Sequence, residues 1–130
     1  MAQRSNHQGL HDKVINELPN VLNTEEYDIY KNPGQEKNAG VNGNYPDIIM
    51  TIKDQNTVEF ILEVETDDTV TQDEAVNQWK KYADEIDATF YIVVPTYSLS
   101  KAKELCKRND INARFATFTL TNDKLTFNFE

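Results

Sequence analysis

Three acids in this chain are spaced to do chemistry together. Asp47 follows Pro46 and opens an apolar run, Ile48-Ile49-Met50-Thr51-Ile52. A second run, Val58-Glu59-Phe60-Ile61-Leu62-Glu63-Val64-Glu65-Thr66, ends in two carboxylates one residue apart. Strand side chains alternate faces, so Glu63 and Glu65 point one way while Phe60, Leu62 and Val64 point the other. If the two runs pair across the polar turn at 53–57, Asp47 comes close to both glutamates. Carboxylates gathered on apolar strands repel one another and resist burial. A hard divalent cation is the simplest partner that makes the arrangement favourable.

The elements that must position these acids follow from periodicity. Leu10, Val14 and Leu18 are four apart, with Ile15 beside them, which predicts a short amphipathic helix ended by Pro19-Asn20. The stretch 27–31 alternates and predicts a first strand. Residues 32–44 hold Pro33-Gly34 and Asn42-Gly43 and predict a loop or hairpin tip. The two acid-bearing strands come next. Thr71 and Glu74 have capping-box spacing, and Val70 is placed to staple onto Ala75. Ala75, Val76, Trp79, Tyr82, Ala83 and Ile86 then recur at helical spacing. The run 88–94 is continuously apolar and suits a buried central strand. Residues 98–108 form a second amphipathic pattern, with Leu99, Ala102, Leu105 and Cys106 inward. The runs 114–120 and 125–129 alternate about a turn at 121–124, a hairpin. The order α-β-β-β-α-β-α-β-β implies an α/β fold in one domain, 1–130, with a right-handed crossover and a mixed sheet flanked by helices.

With these residues in these places the chain resembles the PD-(D/E)XK, or restriction-endonuclease-like, nuclease superfamily. The motif residues are Pro46-Asp47, then Glu63-Val64-Glu65, then Gln78-Trp79-Lys80-Lys81-Tyr82, which is similar to the Gln-x-x-x-Tyr motif of the RecB-like branch. Gln78 and Tyr82 are one turn apart and share a helix face. The resemblance covers roughly residues 10–94 and implies an αβββαβ core with an added C-terminal helix and β-hairpin. It implies Asp47, Glu63 and the Val64 carbonyl as ligands of Mg²⁺ (or Mn²⁺). Gln78 and Tyr82 are its further catalytic residues. Glu65 stands where the usual motif has Lys. It would orient or deprotonate the attacking water, or hold a second metal, and Lys81 could supply the missing ammonium from the helix, beside Lys80. The implied function is a Mg²⁺-dependent nuclease that hydrolyses phosphodiester bonds, with DNA as the expected nucleic acid. A core this small points to a homodimer if it is to hold a duplex.

Each residue also has a plainer reading. Asp47 could be a turn residue beside proline, and Glu63 and Glu65 solvated acids, although Ile61 on their face speaks against that. Glu17 could add an acidic ligand from the first helix or be a surface glutamate. His7 and His11, one turn apart, could be a metal pair or ordinary residues near the N-terminus. Lys101, Lys103, Lys107 and Arg108 form the basic cluster that could meet phosphate, or a solvated helix face. Cys106 reads as core.

The bulk numbers narrow the classes. The 130 residues and an apolar fraction of 38% suffice for one real core. Thirteen basic against 22 acidic residues give a net charge of −9, which excludes nucleic-acid binding by bulk charge alone. The stretch 59–87 has ten acids against two lysines, so the metal-free site should repel DNA. One cysteine excludes an intramolecular disulfide and a thiolate metal cluster. Nothing here has the apolar length of a signal peptide core or a membrane span, so no membrane partner and a cytoplasmic location are expected. The rival reading is a catalytically inactive binding or structural module on the same fold, favoured by Glu65 in place of Lys and by the negative charge.

Overall fold

Alternating apolar residues become strands and the helical repeats pack on both faces of the sheet they form. The computed structural model describes residues 2–34 and 37–130, with side chains from Gln8 onward. One six-stranded sheet runs in sequence order: β1 (Tyr27–Lys31), β2 (Ile48–Ile52), β3 (Val58–Val64), β4 (Thr89–Pro95), β5 (Arg114–Thr121) and β6 (Lys124–Phe129). The pairs β1/β2, β2/β3 and β5/β6 are antiparallel, and β3/β4 and β4/β5 are parallel. Helix α1 (Ala2–Glu17) precedes the sheet. The β3–β4 connection carries α2 (Gln72–Glu74), a π-helical segment (Ala75–Trp79) and α3 (Lys80–Glu85). The β4–β5 connection carries α4 (Leu99–Arg108). The architecture is α/β, a mixed sheet flanked by helices, as the element order implied.

Strand alternation builds two cores. On one face Val14 and Ile15 of α1, with Leu18 just after it, lie on Ile48, Met50, Leu62, Val64 and Val93. On the other, Trp79, Tyr82, Ala102, Leu105 and Cys106 lie on Ile49, Ile61, Ile92 and Val94. Burying side chains of this size contributes ~1.5–3 kcal/mol each. Val70 and Ala75 are fully buried in the second core, consistent with the staple.

Three local expectations are corrected. The first helix is longer than the 10–18 pattern, reaching back to Ala2, and a 3₁₀ turn (Leu18–Val21) with Pro19 near its start follows it. The last hairpin turn is two residues, not four. Asn122 and Asp123 take φ of 51° and 63°, the left-handed pair of a tight hairpin that these residue types tolerate. The helix after β3 is not uniformly α; the Lys80 N–H reaches back five residues to the Ala75 carbonyl.

The loop at 32–46 is ordered by one side chain. Buried Asn32 donates to the Ala39 and Pro46 carbonyls, both at 2.7 Å, and accepts from the Asn38 and Ala39 N–H groups at 2.7 and 2.9 Å. Asn42 and Asn44 donate to the Glu85 carbonyl and carboxylate, which ties the loop to the end of α3. Among the described residues no helix is long and apolar enough to cross a membrane.

Candidate metal centre

The centre forms where β2 runs out beside β3. Ile48 pairs with Leu62, and β3 then continues past the start of β2 with no backbone partner on that side. Side chains take over. The Asp47 N–H donates to Glu63 Oε1 at 3.0 Å, and the Val64 N–H donates to Asp47 Oδ2 at 2.8 Å. In an extended strand a residue's N–H and C=O point to the same side, so the Val64 carbonyl faces Asp47 as well. On the other side the Glu65 N–H stays in the ladder, donating to the Val93 carbonyl at 2.8 Å. Asp47, Glu63 and Glu65 are all buried, at 8%, 4% and 2% exposure. Solvated acids on an open sheet face are thereby excluded.

The composite helix closes the cleft. Trp79, wholly buried, donates its indole N–H to Glu65 Oε2 at 2.9 Å. The Gln78 amide is assigned with its nitrogen toward Glu63 and Glu74, the orientation that satisfies both of its ends. It then donates to Glu63 Oε2 at 3.1 Å and to Glu74 Oε2, and accepts from the Tyr82 hydroxyl at 3.0 Å. Gln78 therefore meets the acids directly and Tyr82 reaches them through it, both lining the cleft with Asp47 and Glu63. Lys81 is exposed and lines the same cleft, while Lys80 pairs with Asp84 at 3.6 Å.

Two further residues join the centre: Glu74, read from the sequence only as part of a cap, and His11, read only as half of a His7/His11 pair. Glu74 was expected as half of a capping box. Its backbone N–H does donate to Thr71 Oγ1 at 3.2 Å, but its carboxylate turns inward. Oxygens of Glu63, Glu65 and Glu74 lie within 4.8 Å of one another. The π-helical segment directly after Glu74 changes the register between it and Gln78, and the acidic residue in a first helical turn was the available signal. His11, from α1, places Nε2 3.2 Å from Asp47 Oδ2 and Nδ1 3.1 Å from Asp12 Oδ1. Asp12 in turn accepts from the Gly34 N–H at 2.8 Å, which ties α1 to the loop. The side chain of His7 lies outside the described residues, so the His7/His11 pair has no structural account. Glu17 is not in the centre; it pairs with Lys13 at 2.6 Å on the far part of α1. The basic residues of α4 do not line the cleft. Lys103 pairs with Glu130 at 2.8 Å and Arg108 with Glu104 at 2.5 Å.

Electrostatics follow from this packing. Burial, with the charges of Asp47 and Glu65 added, pushes the Glu63 carboxyl well above the usual range. Burial and the Glu74 charge do the same to Glu65, against the opposing bonds from Thr69 and Trp79. Glu74 is raised by burial and by Asp47, and lowered by its bond to Glu65 and by His11. Burial raises the Tyr82 phenol too, helped by Glu63. For His11 burial works downward, but the hydrogen bond and charge of Asp47, with Asp12 behind them, prevail and lift it to about 9. Without a metal, burial and mutual repulsion thus favour the protonated forms of Glu63, Glu65 and Glu74, and Asp47 favours the charged form of His11.

The donor set suits a hard cation. Asp47, Glu63, Val64, Glu65, Glu74 and His11 all line one cavity of about 360 Å³, and carboxylate oxygens of Glu63, Glu65 and Glu74 lie within 4.8 Å of one another. It joins a second, of about 610 Å³, through Gly34, Asp47, Glu63, Glu74 and Gln78. Oxygen-rich sets of this kind take Mg²⁺, Mn²⁺ or Ca²⁺. A separate cavity of about 460 Å³ sits at the opposite end of β4, between Val58, Asp87, Phe90 and Arg114. Its charged residues do not converge in this way. No family model, no curated protein and no solved structure matches the chain.

Proposed function

We propose that the protein is a Mg²⁺- or Mn²⁺-dependent nuclease that hydrolyses phosphodiester bonds, DNA being the expected substrate, on a restriction-endonuclease-like core. The observation that carries this reading is the convergence of buried Asp47, Glu63 and Glu65 with partly buried Glu74 on one open cleft. Four acids in one pocket have no stabilising role in the metal-free fold, because burial and mutual charge work against them. Asp47, Glu63 and the Val64 carbonyl would hold one ion, with Glu65 and Glu74 free in number to hold a second. A bound divalent ion supplies charge neutralisation at phosphate and a more acidic water.

The chain's own residues do the rest. Trp79 and Thr69 orient Glu65, whose carboxylate would be the general base. Glu65 takes a proton as a water oxygen bonds to phosphorus and the bond from phosphorus to the leaving oxygen breaks. Lys81, which lines the cleft, would neutralise or protonate that leaving oxygen. Gln78 fixes Glu63 and the Tyr82 hydroxyl, which keeps the ligand carboxylate in one orientation. The inactive-module reading is favoured by one observation, the engagement of Glu65 with Trp79 rather than with a lysine. Thermal unfolding with and without Mg²⁺ or Mn²⁺ separates the two. Linkage raises Tm for a real site, and Asp47→Ala or Glu63→Gln removes the rise. A wild type whose Tm ignores both ions at millimolar concentration leaves the module reading in place.

A further inference from the structure

We infer that the larger cavity is a track for a single nucleic-acid strand, with Lys37 and Lys81 on backbone phosphates and Tyr45 stacked on an unpaired base. The inference rests on the nuclease reading and names the form of its substrate. The cavity of about 610 Å³ begins at Asp47 and Glu63 and runs between the 37–45 loop and the helix carrying Lys81. An acidic centre in a chain of net charge −9 repels a phosphodiester, so any strand must be met by local cations. Lys37 on one wall and Lys81 on the other are those cations. His11, the other basic residue near the acids, is engaged by Asp47 and Asp12.

The aromatic wall is built, not incidental. Tyr45 is 38% exposed, and Lys37 Nζ lies 5.3 Å from its ring centroid. The ring packs so closely on Gly40 that a Cβ there would come within 2.8 Å of Tyr45 Cε1. The bonds of Asn32 and Asn44 hold the loop on which it stands. Lys37 has a flexible stem, so its ammonium can swing from the ring to a phosphate and uncover a face for a base. A cavity in the ~300–1,000 Å³ range of small-ligand sites fits nucleotides one or two at a time. A duplex binder instead needs many phosphate contacts, and two lysines do not supply them. DNA and RNA strands share this chemistry.

The test uses fluorescence anisotropy of labelled oligothymidylate and oligouridylate strands with the full chain in Ca²⁺, and cleavage kinetics in Mn²⁺. Two phosphate contacts predict a slope of log affinity against log salt of about −1.4, at ~0.7 per contact for single strands. Lys37→Ala should make it shallower by ~0.7 and raise KM more than it lowers kcat. Tyr45→Ala should weaken binding ~10-fold or more while Tyr45→Phe, which keeps the ring, stays near wild type. A preference for either strand type supports the track and names the source. Strand binding through Lys37 and Tyr45 without cleavage supports the track and removes the nuclease. Cleavage with affinity, KM and slope unmoved in Lys37→Ala and Tyr45→Ala overturns the track and leaves the nuclease standing. Tighter binding of a blunt duplex, with a slope several-fold steeper, also overturns it.

Discussion

At the residue scale the proposed chemistry turns on Glu65. It occupies the position where the resembled motif has Lys, and it is anchored by the Trp79 indole at 2.9 Å. Glu65→Gln keeps the oxygen that accepts from Trp79 and the size of the side chain. The fold should survive, and Tm of the metal-free protein at pH 8 should rise, because one repelling charge is gone. The Mg²⁺-induced rise in Tm should shrink, and cleavage should slow by on the order of 10²-fold or more, as for loss of a general base. Unchanged kinetics in that variant would move the base to Glu74. Glu65→Lys is a harsher change than the motif suggests. An ammonium beside the indole N–H leaves Trp79 unpaired, at ~1–3 kcal/mol, against the attraction of Glu63 and Glu74.

At the element scale the π-helical segment (Ala75–Trp79) aligns the helix with the acids. It lets Glu74, Gln78 and Trp79 reach Glu63 and Glu65 together. Deleting half-exposed Val76 should restore plain α-helical spacing and turn the residues before it about one position (~100°) relative to those after. Circular dichroism should show a folded protein, and the Mn²⁺-induced rise in Tm should be lost, while Val76→Ala should keep it. Loss of the rise in both variants would mean that the segment's geometry is not what matters. This scale also explains what was legible in the sequence. The proximity of Asp47, Glu63 and Glu65 could be read from strand alternation, while Gln78 and Tyr82 entered through the resemblance. The contact of His11 with Asp47 and the positions of Glu74 and Lys37 could not be read. Their places depend on how α1 docks, on a one-residue change of helical register, and on an irregular loop held by Asn32. The mixed sheet flanked by helices was legible too, since a helical connection between β3 and β4 allows the crossover that a parallel pair needs.

For the whole molecule, charge and protons set the behaviour. Glu63, Glu65 and Glu74 are raised in the folded state. The stability they lend is full below the ordinary glutamate value near 4.5 and is lost as pH rises through their folded values. His11 acts in the same direction, its contribution full below 6.5 and lost as pH rises through about 9. Tm of the metal-free protein should therefore fall steadily from pH 5 to pH 9. The Mg²⁺-induced rise should grow over the same range, because ligands must shed protons to bind. A metal-free Tm that climbs with pH would mean the acids are ionised and stabilising by themselves. The most direct measurement of the central claim is cleavage of an end-labelled single-stranded DNA by the full chain in millimolar Mn²⁺. Wild type should cut, the cutting should stop with chelator, and Asp47→Ala and Glu63→Gln should abolish it while remaining folded. No cutting of DNA or RNA strands by the wild type, or cutting that persists in both variants, would contradict the assignment of these acids to a nuclease.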